Sequence, residues 1–579
     1  MRRLLCLLLC ALRLIVPAGE ASGQAPSGKP TGQRFVAVAF HDVADQIADL
    51  DSDAVTGQVL TQFFDWLKGT GWTAVSHDDL AAAAAGVRPL PDKAILLTAD
   101  DGYRSLYTRV FPLLKVYRYP LVAALVGTWM ESRPDGTVLY GERTVPREKF
   151  ITWDEAREMQ SSGLVEFASH GYALHRGESD NPQGSTVPAV VAWRYDPETG
   201  RYENDAEYRA RIRDDLGRSR ALMAAELGHP PRALVWPYGR YTEPALALAK
   251  AAGFSFALTL EPEPASTADL YAIHRYFPSR NPGLADLVRN LRFEPGQPTT
   301  RRVACVTLDA MAAAGTSDGQ DAWLGHMIED LRSLGANLVV IDAHAALSAP
   351  GAPLGEVFFP TRLRPLRADI LSRATWQIRT RGDAEVFLRL PLAAAIAALG
   401  EAQAPELFAD MARAAVSDGV VVDVETVPTP TPIAADLAGD ARQRRAALDL
   451  SLLTGSARTG LAAYRAAAAI DPRKRLMLAM HEAAGPPDWA DLALLPPLGN
   501  AKQTVALAAR LRGDGWLRPD AAGRVILSLP ADAREQVAAL RGAQRQGAAA
   551  FALCPQPPAL PPSPALAAAF SAATYPYRP

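Results

Sequence analysis

In the stretch ILLTADDGYRSLY, residues 95–107, two aspartates stand side by side at the end of an apolar run and Gly102 follows them. Adjacent ionised carboxylates repel each other, and a hydrophobic strand does nothing to offset that. A cation does. One of Asp100 and Asp101 can bind it while the other stays free as a general base, and the positive charge favours both ionised forms. Gly102 permits the tight turn behind them. The plainer reading of the triplet is a helix-capping turn. Further ligands occur in EFASHGYALHRG, where His170 and His175 are five residues apart. Helical histidines that share a metal sit at i, i+4, so this pair is expected on a loop after a strand at 164–169. One carboxylate and two imidazoles leave positions open for water and substrate, the donor set of a hydrolytic metal site. Such a set takes one divalent ion, Zn²⁺ or else Co²⁺, Ni²⁺ or Fe²⁺. A third piece, LVWPYGRYTEPAL at 234–246, stiffens a strand end through Pro237, Tyr238 and Gly239. A backbone N–H there can face a developing oxyanion, although an ordinary Pro-Gly turn reads the same way.

Alternating strands and helices must carry these groups. RFVAVAF is a short strand leading to His41 and Asp42. TGQVLTQFFDWLKGTGWTAVS is a helix, a glycine stop and a strand, and AILLTA is the strand before the aspartates. The alternation continues through PLVAALVG, GLVEFAS, ALVWPYG and FSFALTL, which argues for an α/β sheet or barrel. A polar insert near 195–210 is expected to be surface loop. FEPGQPTTR, at 293–301, breaks the pattern. A second series follows, namely VACVTLD, NLVVIDAH, AEVFLRLP, GVVVDVE, RLMLAMHE, RVILSLP and AFALCP. Seven strands in about 280 residues suit a (β/α) barrel with its polar groups at the strand C-termini.

A chain of 579 residues is too long for one core, and two large domains are expected. With 63 acidic and 60 basic residues, net charge −3 and no basic stripe, nucleic acid is set aside as a partner. Residues 1–23, beginning MRRLLCLLLC, read as a secretory signal, and 24–33 belong to a Gly/Ser/Pro-rich linker. Cys6 and Cys10 each follow a leucine, which does not support a lipoprotein cleavage site. The expectation is a soluble, exported protein. Beyond the leader only Cys305 and Cys554 remain. They are read either as a disulfide or as two buried thiols.

TADDG, SHGYALH and WPYG resemble, in order and spacing, the polysaccharide deacetylases (NodB-like, carbohydrate esterase family four). The longer segments LLTADDGYRSLYTRVFPLLKVYRYP and GLVEFASHGYALHRG, with FHDV near the N-terminus, resemble the PgaB type in particular. These are the poly-β-1,6-N-acetylglucosamine deacetylases of biofilm exopolysaccharide systems. The resemblance is specific over about 34–290 and looser to the C-terminus. It implies an α/β chain with a distorted (β/α) barrel deacetylase domain at 34–295 and a TIM-like (β/α) barrel at 301–579. It also implies Asp100 as general base, Asp101, His170 and His175 as metal ligands, and the Tyr238 N–H in the oxyanion hole. The subfamily is circularly permuted, which makes His41 the general acid and leaves His274, in LYAIHRY, as its rival. The implied activity is N-deacetylation of poly-β-1,6-N-acetylglucosamine in the periplasm or at the outer membrane, with an export porin as partner. Alternatives are a peptidoglycan or chitin-like β-1,4 substrate, or a non-catalytic polysaccharide-binding export protein. Two departures from the family are Ala99 in place of an aromatic residue, which the sequence does not explain, and Trp236 in place of an arginine.

FPTRLRPLRADILSRATWQIRTR, at 359–381, resembles the C-terminal barrel of the same proteins, which binds and in some cases cleaves the glucan. Asp309, Asp342, Asp423 and Glu425 are the substrate-binding candidates here. Arg389 stands where a groove aromatic is expected, and the loop after VVIDAH is Ala/Pro-rich rather than acidic. The preferred reading is a barrel that binds polymer without cleaving it, since glycoside hydrolysis needs two suitably separated carboxylates or an acid with substrate assistance.

Overall fold

The computed structural model describes residues 32–46, 53–141, 143–293, 300–424, 448, 450–481, 487, 489–518, 523–554 and 563–571. The expected leader, most of the linker and Glu425 lie outside the described residues. Among the described residues no helix is long and apolar enough to cross a membrane.

The first unit is built on an eight-stranded sheet. Its path runs Phe256–Leu258, Ala233–Val235, Val165–Ser169, Leu121–Leu125, Ala94–Ala99, Arg34–Phe40 and Ala265–Ser266, and Thr73–Ala74 branches onto Ala94–Ala99. All pairs are parallel except the last, where Arg34 faces Ser266. Buried on both faces, these strands read as continuous apolar runs. The sheet is therefore a curled partial barrel, and its strand C-termini gather at one edge. Ala99 has an account here. It lies opposite Phe40 in register and in the same buried cluster, so the aromatic bulk of that layer comes from the neighbouring strand.

The second unit is a closed barrel of eight parallel strands. Seven correspond to the runs read from sequence. The eighth, Leu492–Leu495, is a short, wholly buried LALL segment with no alternation to mark it. The barrel closes where Arg301–Thr307 pairs with Ala550–Leu553. A disulfide between Cys305 and Cys554 staples that seam, resolving the two sequence readings in favour of pairing.

The stretch near 195–210 corrects an expectation. It forms a hairpin, Tyr195–Asp196 with Arg201–Tyr202, and opens the long helix Asp205–Leu227. Its polar residues have structural uses: Asn204 caps the helix by accepting from the Ala206 and Glu207 N–H groups, and the Tyr202 hydroxyl donates to Asp369 of the barrel. One apolar cluster crosses between the units, joining Trp193, Tyr208 and Trp236 to barrel residues such as Met411 and Ile470.

Candidate metal centre

Register brings the chemistry together. Phe40 pairs with Ala99, so the residues that follow, His41 and Asp100, emerge side by side, and the Asp100 N–H donates to the Phe40 carbonyl. Asp101 then turns back on itself with φ 72°, a left-handed conformation uncommon for a residue other than glycine. Gly102 continues at φ 71°, and a Cβ there would meet Leu125 at 2.6 Å. The turn aims the two carboxylates in different directions.

His170 follows the strand Val165–Ser169, and its N–H donates to the Leu125 carbonyl. The loop onward to His175 is held by Asp215, on the long helix, which accepts the Tyr172 and Ala173 N–H groups at 2.7 Å each. The Nε2 atoms of both histidines lie 3.3 Å from Asp101 Oδ1. Asp101, His170 and His175 are all buried, with ligand atoms within 4.8 Å of one another.

These residues fit a cation. The His170 ring donates through Nδ1 to the Val235 carbonyl at 2.7 Å, so its neutral form turns the Nε2 lone pair toward Asp101. Asp101 Oδ1 has no hydrogen-bond donor although it is buried. Lone pairs converging on a buried, donorless oxygen require a proton or a metal among them. Burial alone would raise the Asp101 carboxyl, but the positive charge that the adjacent imidazoles carry when protonated, His175 first, holds it well below the ordinary range. Burial lowers His170, and the Asp101 hydrogen bond with the Asp100 and Asp101 charges outweighs it and raises the group.

Asp100 faces a different partner. Arg275 grips it with both arms, Nη1 to Oδ1 at 2.7 Å and Nη2 to Oδ2 at 2.8 Å, and its Nε donates to the Thr259 carbonyl. Burial pushes the Asp100 carboxyl up, and the guanidinium overcomes this and keeps it below its ordinary value. His41 Nε2 lies 4.0 Å from Asp100 Oδ2, with the imidazole packed against Phe277 at 4.6 Å between ring centroids. His274 is elsewhere, its Nδ1 3.4 Å from Glu263. In an extended segment neighbouring side chains point to opposite faces, so Arg275 reaching Asp100 turns His274 away.

Tyr238 sits in the turn after Ala233–Val235 at φ 58°, and Gly239 follows at φ 62°. A Cβ on Gly239 would meet the Leu260 nitrogen at 2.7 Å. The Tyr238 ring lies 4.5 Å from that of His175. Sequence reasoning missed two members of the site. Tyr140, on the hairpin Thr137–Tyr140/Arg143–Pro146, donates its hydroxyl to Asp101 Oδ2 at 2.7 Å. Arg275, directly after His274, supplies the guanidinium on Asp100. The signal for Arg275 in the sequence is the dipeptide His274-Arg275, whose two residues point to opposite faces.

The barrel candidates are arranged differently. Asp342 and Arg389 are paired in register, and Arg389 binds both Asp342 oxygens at 2.6 and 3.0 Å. Burial pushes the nearby Asp423 carboxyl up, with Arg389 acting against it. Asp309 accepts the Ala346 N–H.

Residues 87–257 match the polysaccharide deacetylase family, and 306–415 match hypothetical glycosyl hydrolase family 13. The poly-β-1,6-N-acetyl-D-glucosamine N-deacetylase of Escherichia coli K12 is 35% identical over 358 residues, 62% of this chain and 53% of its own length. The chain thus spans about half the length of the curated relatives it matches. Among solved structures, the deacetylase domain of BpsB from Bordetella bronchiseptica is 41% identical, aligned over 42% of this chain and 95% of that one with a TM-score of 0.38. A de-N-acetylase from Aggregatibacter actinomycetemcomitans is 35% identical, over 45% and 100%, with a TM-score of 0.43.

Proposed function

The chain belongs to the polysaccharide deacetylase family, and from that premise we propose that it is a metal-dependent N-deacetylase of poly-β-1,6-N-acetyl-D-glucosamine. The observation that carries the reading is the division of labour between the adjacent aspartates: Asp101 faces two imidazoles, and Asp100 faces a guanidinium and His41. A divalent ion held by Asp101, His170 and His175, with Zn²⁺, Co²⁺, Ni²⁺ or Fe²⁺ all suited to the donors, would polarise the acetamide carbonyl and acidify water. Asp100, kept ionised by Arg275, accepts the proton of the attacking water. The Tyr238 N–H donates to the oxygen on which negative charge develops. His41 protonates the departing amine, leaving acetate and a glucosamine unit. Tyr140 orients Asp101 by occupying its second oxygen, as outer hydrogen bonds orient metal ligands generally.

The substrate linkage is supported by the activity named for the E. coli relative. A periplasmic location is supported by the leader-like N-terminus and by a disulfide that suits an oxidising compartment, and an outer-membrane export porin is proposed as the partner downstream of it. For the barrel we take polymer binding rather than cleavage, because Asp342 and Asp423 stand together on one guanidinium, Arg389, instead of flanking a bond as separate acid and base. Acetate release from poly-β-1,6-N-acetylglucosamine, with and without chelator, tests the whole reading. The expected result is release that chelation stops and a divalent metal restores; release only from β-1,4 polymers would overturn the substrate.

A further inference from the structure

A cavity of about 620 Å³ opens beside the metal centre, between the two units. Leu139, Arg176, Tyr238 and Arg240 form its deacetylase wall, and Trp376 and Thr380, on the barrel helix Leu371–Gly382, form the other. The deacetylase wall continues the site residue by residue. Leu139 precedes Tyr140, which binds Asp101. Arg176 follows His175, and the Tyr238 ring lies against that of His175. Its volume falls within the ~300–1,000 Å³ of small-ligand pockets.

We propose that this groove is a glycan subsite that holds acetylated units of the chain adjoining the unit being deacetylated, with Trp376 as its stacking platform. The proposal rests on the deacetylase reading above and adds which part of the polymer binds and where. Trp376 is half-buried against Val187, Val191 and Ala192, and Tyr238 is 37% exposed. Two aromatic rings facing a groove suit the apolar faces of sugar rings. The charges choose between the two kinds of unit. Arg176, Arg240 and Arg379 line the groove, and no carboxylate is among its lining residues. All three are paired with acids that lie outside the lining, Arg176 with Glu178, Arg379 with Asp418, and Arg240 with Asp418 and Asp471. With guanidiniums facing the groove and their acids behind them, the surface offers the ammonium of glucosamine no carboxylate and suits a neutral N-acetyl unit. The groove thus takes chain that has not yet been processed, and the product side leads elsewhere.

The test compares acetate release from a β-1,6-linked N-acetylglucosamine pentamer, the same pentamer carrying glucosamine units, and a small acetyl ester. Trp376→Ala should lower kcat/KM on the acetylated pentamer roughly tenfold and leave ester hydrolysis unchanged, while Trp376→Phe keeps most of the activity. Thr380→Glu, at an exposed position, should narrow the preference for the fully acetylated pentamer over the mixed one. Equal losses on pentamer and ester would show that Trp376 is merely structural and overturn the subsite. So would an unchanged pentamer rate, or a charge preference that Thr380→Glu does not move. Wild-type protein that hydrolyses the ester but neither pentamer would instead overturn the substrate reading, and the subsite with it.

Discussion

Acids meet at strand ends in both halves of this chain; each half ties one of them to an arginine, and the deacetylase half leaves another, Asp101, with an oxygen that has no donor. In the deacetylase unit Asp101 keeps one buried oxygen without a donor, facing two imidazole nitrogens. In the barrel Asp342 has both oxygens on Arg389, and the same guanidinium acts on Asp423. A buried acceptor left without a partner costs free energy unless something fills the gap. A carboxylate that already has its guanidinium, as Asp100 has Arg275 and Asp342 has Arg389, needs no cation, so the halves differ at Asp101 alone. Acids at strand ends therefore do not distinguish a reactive site from a closed one; what distinguishes them is whether their partners come from the chain itself.

The comparison breaks most visibly at Asp100. Asp100→Asn removes the proton acceptor but no metal donor, so acetate release should fall by roughly 10²–10⁴-fold with bound metal unchanged. Asp342→Asn in the barrel should leave acetate release as it was. Equal losses from the two variants would mean that the halves do not differ as argued. Metal analysis alongside the rate assay separates a lost base from a lost site.

The seam joining the halves has its own pair of acids. Burial pushes Asp180 up to about 7 and Asp369 up to about 6. Asp180 accepts from Ser372 of the barrel, and Tyr202 of the deacetylase unit donates to Asp369. Both folded-state values exceed those of the unfolded chain, so the folded seam binds more protons between about pH 4 and 7. Its contribution is complete below the unfolded value and is lost as the pH rises through 6 to 7. At 1.36 kcal/mol per unit, Asp180 alone accounts for on the order of 4 kcal/mol. Urea unfolding should show higher stability at pH 5 than at pH 8, and Asp180→Asn should flatten much of that slope.

Arg389 sharpens the contrast within the barrel. Arg389→Ala strands Asp342 and Asp423 and should cost about 3 kcal/mol in chemical unfolding, without changing acetate release. Replacing the pair together, as Asp342→Leu with Arg389→Met, should recover most of that loss.

Which of these relations a sequence exposes follows from how they are made. The centre was legible where residues sit at or just past the ends of parallel strands: Asp100 and Asp101 close one apolar run, His170 closes another, and His175 stands on the short loop after it. The alternation of strands and helices likewise exposed both α/β units, while Leu492–Leu495 lacked any pattern to mark it. Tyr140 gave no signal, because it reaches Asp101 from a two-stranded hairpin outside the sheet. Arg275 and His274 cannot be told apart without knowing which face of the segment looks inward. Ala99 and the Asp342–Arg389 pair depend on register between strands that are 40–60 residues apart in sequence, and register is a property of the assembled sheet.

The halves also meet through Arg473, which precedes the barrel strand Arg475–Met480. Its Nη1 donates to the Gly239 carbonyl at 3.1 Å and its Nε lies 3.3 Å from Glu261. Gly239 directly follows Tyr238, and both hold left-handed backbone angles that the surroundings must enforce. A barrel side chain thus braces the turn that presents the Tyr238 N–H, although it touches no reacting atom. Arg473→Ala should lower kcat a few-fold, well short of the 10²–10³ lost when an oxyanion donor itself is removed, with KM nearly unchanged. Arg473→Lys, which keeps a donor of single reach, should fall between. A change confined to melting temperature, with kcat intact, would make Arg473 only a bond across the seam. A loss in kcat would mean that the barrel serves the deacetylation chemistry from its outer wall, through a backbone carbonyl, while the acids at its own strand ends stay locked.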